Sequence, residues 1–165
     1  MVFGEESSGA VLLGRVLLSR GFKGESEGDL SRLLRLVAGA RREAGRPIVC
    51  FMIVDPDAEV PCEAALAAMQ RASASLLTYC ESLTLIVEGD ELKRSLIRTV
   101  LRGMATLGPK PLRIRVVEQL EAAARIAGDP DLVLDELERR GREAGVWLAP
   151  ASAAAGATPA LRLDD

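Results

Sequence analysis

The sequence predicts an α/β protein built on a small, largely parallel sheet of about four to five strands. Two observations carry this. Short apolar runs at residues 11–18, 48–54, 82–88 and 112–117 have the length and β-branched content of buried strands. Between them lie longer segments whose apolar residues recur at helical spacing. Short connections in a strand–helix–strand order imply parallel pairing through right-handed crossovers.

The run 11–18, Val-Leu-Leu-Gly-Arg-Val-Leu-Leu, is apolar on both faces, as in a sheet covered on two sides. Gly14 is expected to mark a bulge or a close approach there. Residues 1–3 add a short edge strand. A polar, glycine-containing connection comes next, and Asp29 is expected to cap a helix reaching Ala44. Leu30, Leu33, Leu34 and Val37 form its buried stripe, and Gly45 ends it. The continuous apolar run 48–54 is the central strand.

The next helix is expected to open at Pro61, whose missing N–H costs nothing in a first turn, and to run to Tyr79. Six alanines between Ala64 and Ala74 give it high propensity and a smooth surface. Gly89 and Asp90 turn the chain into a third helix, with an apolar stripe of Leu92, Leu96, Ile97, Val100, Leu101 and Met104. Residues 108–111 break it. A strand to Val117, a short helix over 118–127 and an added C-terminal helix over 129–143 complete one domain spanning 1–149. Residues 150–165 are rich in Ala, Gly, Pro and Ser and read as a mobile tail. Trp147 is expected to lock the C-terminus onto the body, or to anchor a partner.

Composition narrows the chemistry. The chain has 165 residues, enough for one self-sufficient core. Aromatics are 3%, so the core is aliphatic and there is little on which to stack single-stranded nucleic acid. The net charge is −3, with no basic excess for a polyanion, so no nucleic acid partner is expected. With no histidine, Ser-His-Asp triads, histidine metal sites and the usual neutral-pH base are all ruled out. Phosphate-binding glycine loops do not occur. The three cysteines, Cys50, Cys62 and Cys80, are odd in number and widely spaced, as in reduced thiols of a cytoplasmic protein. No apolar run reaches the length of a membrane span, and no secretory leader is predicted.

The passage from the central strand into the next helix is the most informative segment. In open α/β sheets ligands and partners meet the carboxyl ends of strands. Here that end carries Asp55, Asp57, Glu59, Cys62 and Glu63, bracketed by Pro56 and Pro61. Carboxylates in such a cluster cap the following helix, because its dipole favours negative charge. They also present an acidic surface to a partner, and a hard cation or a phosphoacceptor role is the less favoured alternative. On the third helix Arg94, Arg98 and Arg102, beside Lys93, recur every four residues and are expected to form a wet basic face opposite the apolar stripe.

The order of four pieces resembles the STAS domain of bacterial anti-sigma factor antagonists and the related SEC14-like lipid-binding group. They are Val16-Leu-Leu18 with Gly21-Phe22, Ile53-Val-Asp55, residues 83–87, and Val116-Val-Glu-Gln-Leu-Glu-Ala-Ala123. That resemblance implies a regulatory protein with no catalytic residues, cofactor or metal, acting by contact with another protein or a second copy of itself. It also implies a small hydrophobic ligand as the alternative. The family's switch is a Ser or Thr at the start of the helix after the central strand. Here no Ser or Thr lies between Asp55 and Glu63, and Cys62 stands near that position.

Overall fold

The computed structural model describes residues 2–3, 9–21, 27–106 and 113–146. The expected tail, Trp147 and the break at 108–111 lie outside the described residues. The protein is α/β, with a six-stranded sheet: β1 (Val2–Phe3), β2 (Ala10–Leu13), β3 (Val16–Gly21), β4 (Ile48–Val54), β5 (Cys80–Ile86) and β6 (Ile114–Val117). Among the described residues five helices accompany it: α1 (Glu27–Ala44), α2 (Glu63–Leu76), α3 (Leu92–Thr106), α4 (Leu120–Ala127) and α5 (Leu134–Glu143).

The run 11–18 is not one bulged strand. It folds back as the antiparallel pair β2–β3, with Val11 beside Leu18 and Leu13 beside Val16. Gly14 makes the turn at φ +58°, a left-handed conformation that glycine adopts without strain. β1 adds to β2 antiparallel, and β3, β4, β5 and β6 are parallel to one another.

Strand order in the sheet equals strand order in the chain. Right-handed crossovers that always step the same way put their helices on one face. The packing agrees. Alternate residues of β4, namely Ile48, Cys50 and Met52, join Leu17, Leu83 and Leu85 against Val37 of α1, Met69 and Leu76 of α2, and Ile97 and Leu101 of α3. The intervening residues Val49, Phe51 and Ile53, with Val16, Leu18 and Ile86, pack against Leu120 and Ala123 of α4, Leu137 of α5, and Val146. With α4 and α5 covering this second face, every side chain of β4 is buried. That is why the strand reads as an unbroken apolar run.

Several boundaries differ from expectation. α2 starts at Glu63, with Cys62 as its N-cap residue, so Pro61 lies outside the helix. α5 starts at Leu134, because Asp129 accepts from the Asp131 N–H (3.1 Å) and holds a turn instead of capping a helix. α1 begins two residues before Asp29. Gly45 ends it as expected, at φ +65°, donating its N–H to the Arg41 carbonyl (3.1 Å).

Candidate functional site at the carboxyl edge of the sheet

Parallel β3, β4, β5 and β6 all end on one edge, and a charged residue stands at or just past each strand end. These are Arg20 in β3, Asp55 after β4, Glu88 after β5 and Glu118 after β6. Because the strand order never reverses, this edge has no crevice of the doubly wound kind. It is instead a row of charged side chains between the two helical layers.

Asp55 is the centre of the row, and it is buried. Arg20 donates from Nε and Nη2 to Asp55 Oδ2, at 3.1 and 2.9 Å. The other oxygen, Oδ1, accepts the Asp57 N–H at 2.9 Å, and the Asp55 carbonyl accepts the Ala58 N–H at 3.0 Å. These bonds form a compact turn that places Pro56 and Asp57 outside and tucks Ala58 into the core. Arg94 reaches down from α3 and donates from Nη1 to the Asp55 carbonyl at 2.9 Å. Both carboxylate oxygens and the carbonyl are thus engaged in holding the loop. This weighs against Asp55 as a phosphoacceptor.

The remaining acidic residues of the segment point outward. Asp57, Glu59, Cys62 and Glu63 are exposed. Glu59 accepts from Lys93 Nζ at 3.0 Å, a surface pair that contributes little to stability. Among the described residues, no three acidic or cysteine side chains are arranged to hold a metal ion. Cys62 forms no side-chain cap bond at the head of α2. The other two thiols are buried in the first core layer, where desolvation pushes Cys50 well above the ordinary thiol range and Cys80 up to about 11.

The basic face of α3 is the clearest departure from expectation. Arg94 and Arg98 are buried, not wet, and of the three arginines only Arg102 is exposed, beside exposed Lys93. Arg98 donates from Nη1 to the carbonyls of Val87 (3.1 Å) and Gly89 (2.6 Å), and its Nε lies 3.5 Å from Glu118. It closes the end of β5 by satisfying carbonyls that no strand neighbour reaches. Arg102 is 3.8 Å from the same Glu118. The buried side of α3 therefore runs Arg94, Ile97, Arg98, Leu101, Met104, while Leu92 and Leu96, expected in the core, are exposed. Two arginines lie on the inner side because each donates to backbone carbonyls just past a strand end, Arg94 to Asp55 and Arg98 to Val87 and Gly89. Charge periodicity alone could not reveal those bonds.

Two further residues complete the row. Arg20 gave no signal beyond a charge at a strand end. Glu88 is half-buried, and burial pushes its carboxyl above the usual range. Glu121 on α4 adds to that shift, Arg94 opposes it, and Glu138 on α5 adds again. No helix among the described residues is long and apolar enough to cross a membrane. No family model, no curated protein and no solved structure matches this chain.

Proposed function

We propose that the protein is a non-catalytic binding module that docks a basic segment of a partner protein on the 55–63 loop and the adjoining alanine-rich surface of α2. The observation that carries this is the division of labour within the loop. Asp55 is consumed in fixing the backbone, and Asp57 and Glu63 stand exposed with no ion pair among the described residues. A fixed loop presents its charges without an ordering cost on binding, which favours recognition. Opposite charge on the partner would speed encounter and set orientation. The exposed Ala64, in the first turn of α2, adds a low, smooth surface beside those charges. The resemblance to STAS domains points to the same kind of protein, acting in the cytoplasm of a bacterium. Cys62 occupies the head of α2 where such domains carry a phosphorylated hydroxyl, so regulation by phosphate at this position is not part of the proposal.

Cys62 also supplies the test. It is exposed while Cys50 and Cys80 are buried, so a thiol-directed photocrosslinker attached to the native protein goes to Cys62. In lysate of the source cells, irradiation should give discrete protein adducts that weaken with salt. They should be lost in the Asp57→Lys, Glu63→Lys variant. Adducts that ignore both salt and charge reversal, or no adducts at all, reject the proposal.

A further inference from the structure

The last helix is attached to the body differently from α3. Seven of its ten residues are charged, and its buried positions are Leu137 and Gly141. Among the described residues every ion pair of α5 is internal to it. Arg139 pairs with Glu136 and Glu143, Arg140 with Glu136, and Arg142 with Glu138. Its side-chain hydrogen bonds join the same residues. By contrast, α3 is bonded through Arg94 and Arg98 to the backbone just past β4 and β5.

The backbone of α5 is equally self-contained. At its end the Val146 N–H returns to the Gly141 carbonyl (2.8 Å) and the Gly145 N–H to the Arg142 carbonyl (3.1 Å), so the helix closes on its own carbonyls. Among the described residues no backbone hydrogen bond joins 133–146 to the sheet. What holds α5 on β2 and β3 is apolar contact, chiefly fully buried Leu137 and Val146. That contact is close at its far end: a side chain on Gly9, just ahead of β2, would stand 1.9 Å from the Ala144 carbonyl oxygen. Charge does not add to it. Behind burial and Glu121, Glu138 of α5 contributes to the upward shift of the Glu88 carboxyl, so it meets a like charge there. Only the turn before the helix is pinned, by Asp129 to Arg15 at 2.8 Å.

We infer that α5 is a strap that undocks from β2 and β3 as a unit, pivoting on the pinned Asp129 turn, while the parallel sheet and the helices α1 to α4 stay folded. Undocking breaks no ion pair or hydrogen bond between α5 and the rest of the described residues, and it separates Glu138 from Glu88. It gives up a few apolar contacts, so it is a local opening that precedes complete unfolding. It bares an aliphatic strip, Val11, Val16 and Leu18, while α4 keeps its place on β5 and β6. The motion stands or falls independently of the role proposed for the 55–63 loop.

Thiol labelling in native buffer, mapped by peptide mass, tests it. Cys50 lies in the central strand, buried on the opposite side of the sheet, and reports complete unfolding. In a Cys62→Ser background, Val16→Cys places a thiol on the side that the strap covers. It should be labelled at least about tenfold faster than Cys50, because a local opening is more frequent than a global one. Leu137→Ala removes an anchor of the strap, and Gly9→Ala wedges its end away at Ala144. Each should speed labelling at position 16 by about fivefold or more and leave Cys50 unchanged. If Val16→Cys fails to fold, Val11→Cys carries the probe instead. A thiol at position 16 or 11 labelled no faster than Cys50 overturns the inference. So does a Leu137→Ala or Gly9→Ala effect that is equal at both sites or absent.

Discussion

The two ends of the parallel sheet solve the same problem differently. At the amino end, Arg15 in the β2–β3 turn donates from Nε to Asp129 (2.8 Å) and from Nη1 to Glu81 (2.7 Å). It ties the hairpin to β5 and to the α4–α5 connection, and the Asp129 carboxylate is only 6% exposed. At the carboxyl end, Arg20 pairs with Asp55 over a comparable distance, but the loop beyond continues into Asp57, Glu59 and Glu63. One end holds its acids in a closed clamp. The other uses one acid as a clamp and displays the surplus. The contact surface proposed for the 55–63 loop is thus distinguished by charge left over after the structural bonds are counted, and not by charge alone.

Breaking the clamps should separate the two roles. Asp55→Ala strands Arg20 and removes the turn bond to Asp57, and should cost about 3 kcal/mol in urea unfolding. Next, Asp129→Ala should cost about 2 kcal/mol, because Arg15 keeps Glu81 and stays partly wet. Burial raises the Asp129 carboxyl, but the Arg15 bond and charge and the Asp131 N–H outweigh it, so the folded value lies below the unfolded one. Its contribution is therefore present above the ordinary carboxylate range and is lost as pH falls through the depressed folded value. The difference between wild type and variant should shrink in acid.

Glu88 has the opposite sign. Its folded value is raised, so its ionised form disfavours folding at neutral pH, and the penalty disappears below the ordinary carboxylate range. Glu88→Gln should raise the melting temperature at pH 7, by no more than ~2 °C for a half-buried group, and leave it unchanged in acid. The smallest effect belongs to the displayed acids. Asp57→Asn with Glu63→Gln should change stability by less than about 0.5 kcal/mol, since neither side chain holds the fold. A large loss there would mean that the surplus charge is structural, and the contrast between the two ends would collapse.

The central strand, the helix after it and the α/β class were legible because burial on both faces leaves an unbroken apolar run, as in Ile48–Val54. The β2–β3 hairpin was hidden by the same signal. Two buried strands joined by Gly14 and Arg15 look like one long one unless the glycine is taken as a turn. Of the site, the loop was visible because its acids cluster in sequence. Arg20, Arg94 and Arg98 were not visible as its supports, since each serves a backbone or carboxylate partner at least nine residues away. Arginines in a four-residue rhythm read as solvated, and only the unmet carbonyls at the end of β5 reveal otherwise.

The sequential strand order also governs how the chain assembles. Each of β2 to β6 adds beside the strand made just before it, so the sheet can grow from one side as the polypeptide leaves the ribosome. The crossover helices arrive with their strands, but α4 and α5 come last, and α5 returns to pack on β2 and β3. Until α4 has emerged, Val49, Phe51 and Ile53 have no cover on that side, and until residue 146 follows the cover is incomplete. Ribosome-stalled chains in which residue 118 has just emerged should therefore hold a protease-resistant sheet that still binds a hydrophobic dye, and the dye should be expelled once α5 has emerged. The nascent protein passes through a stage with one sticky side, and the last helix to be made is the one that ends its exposure to chaperones.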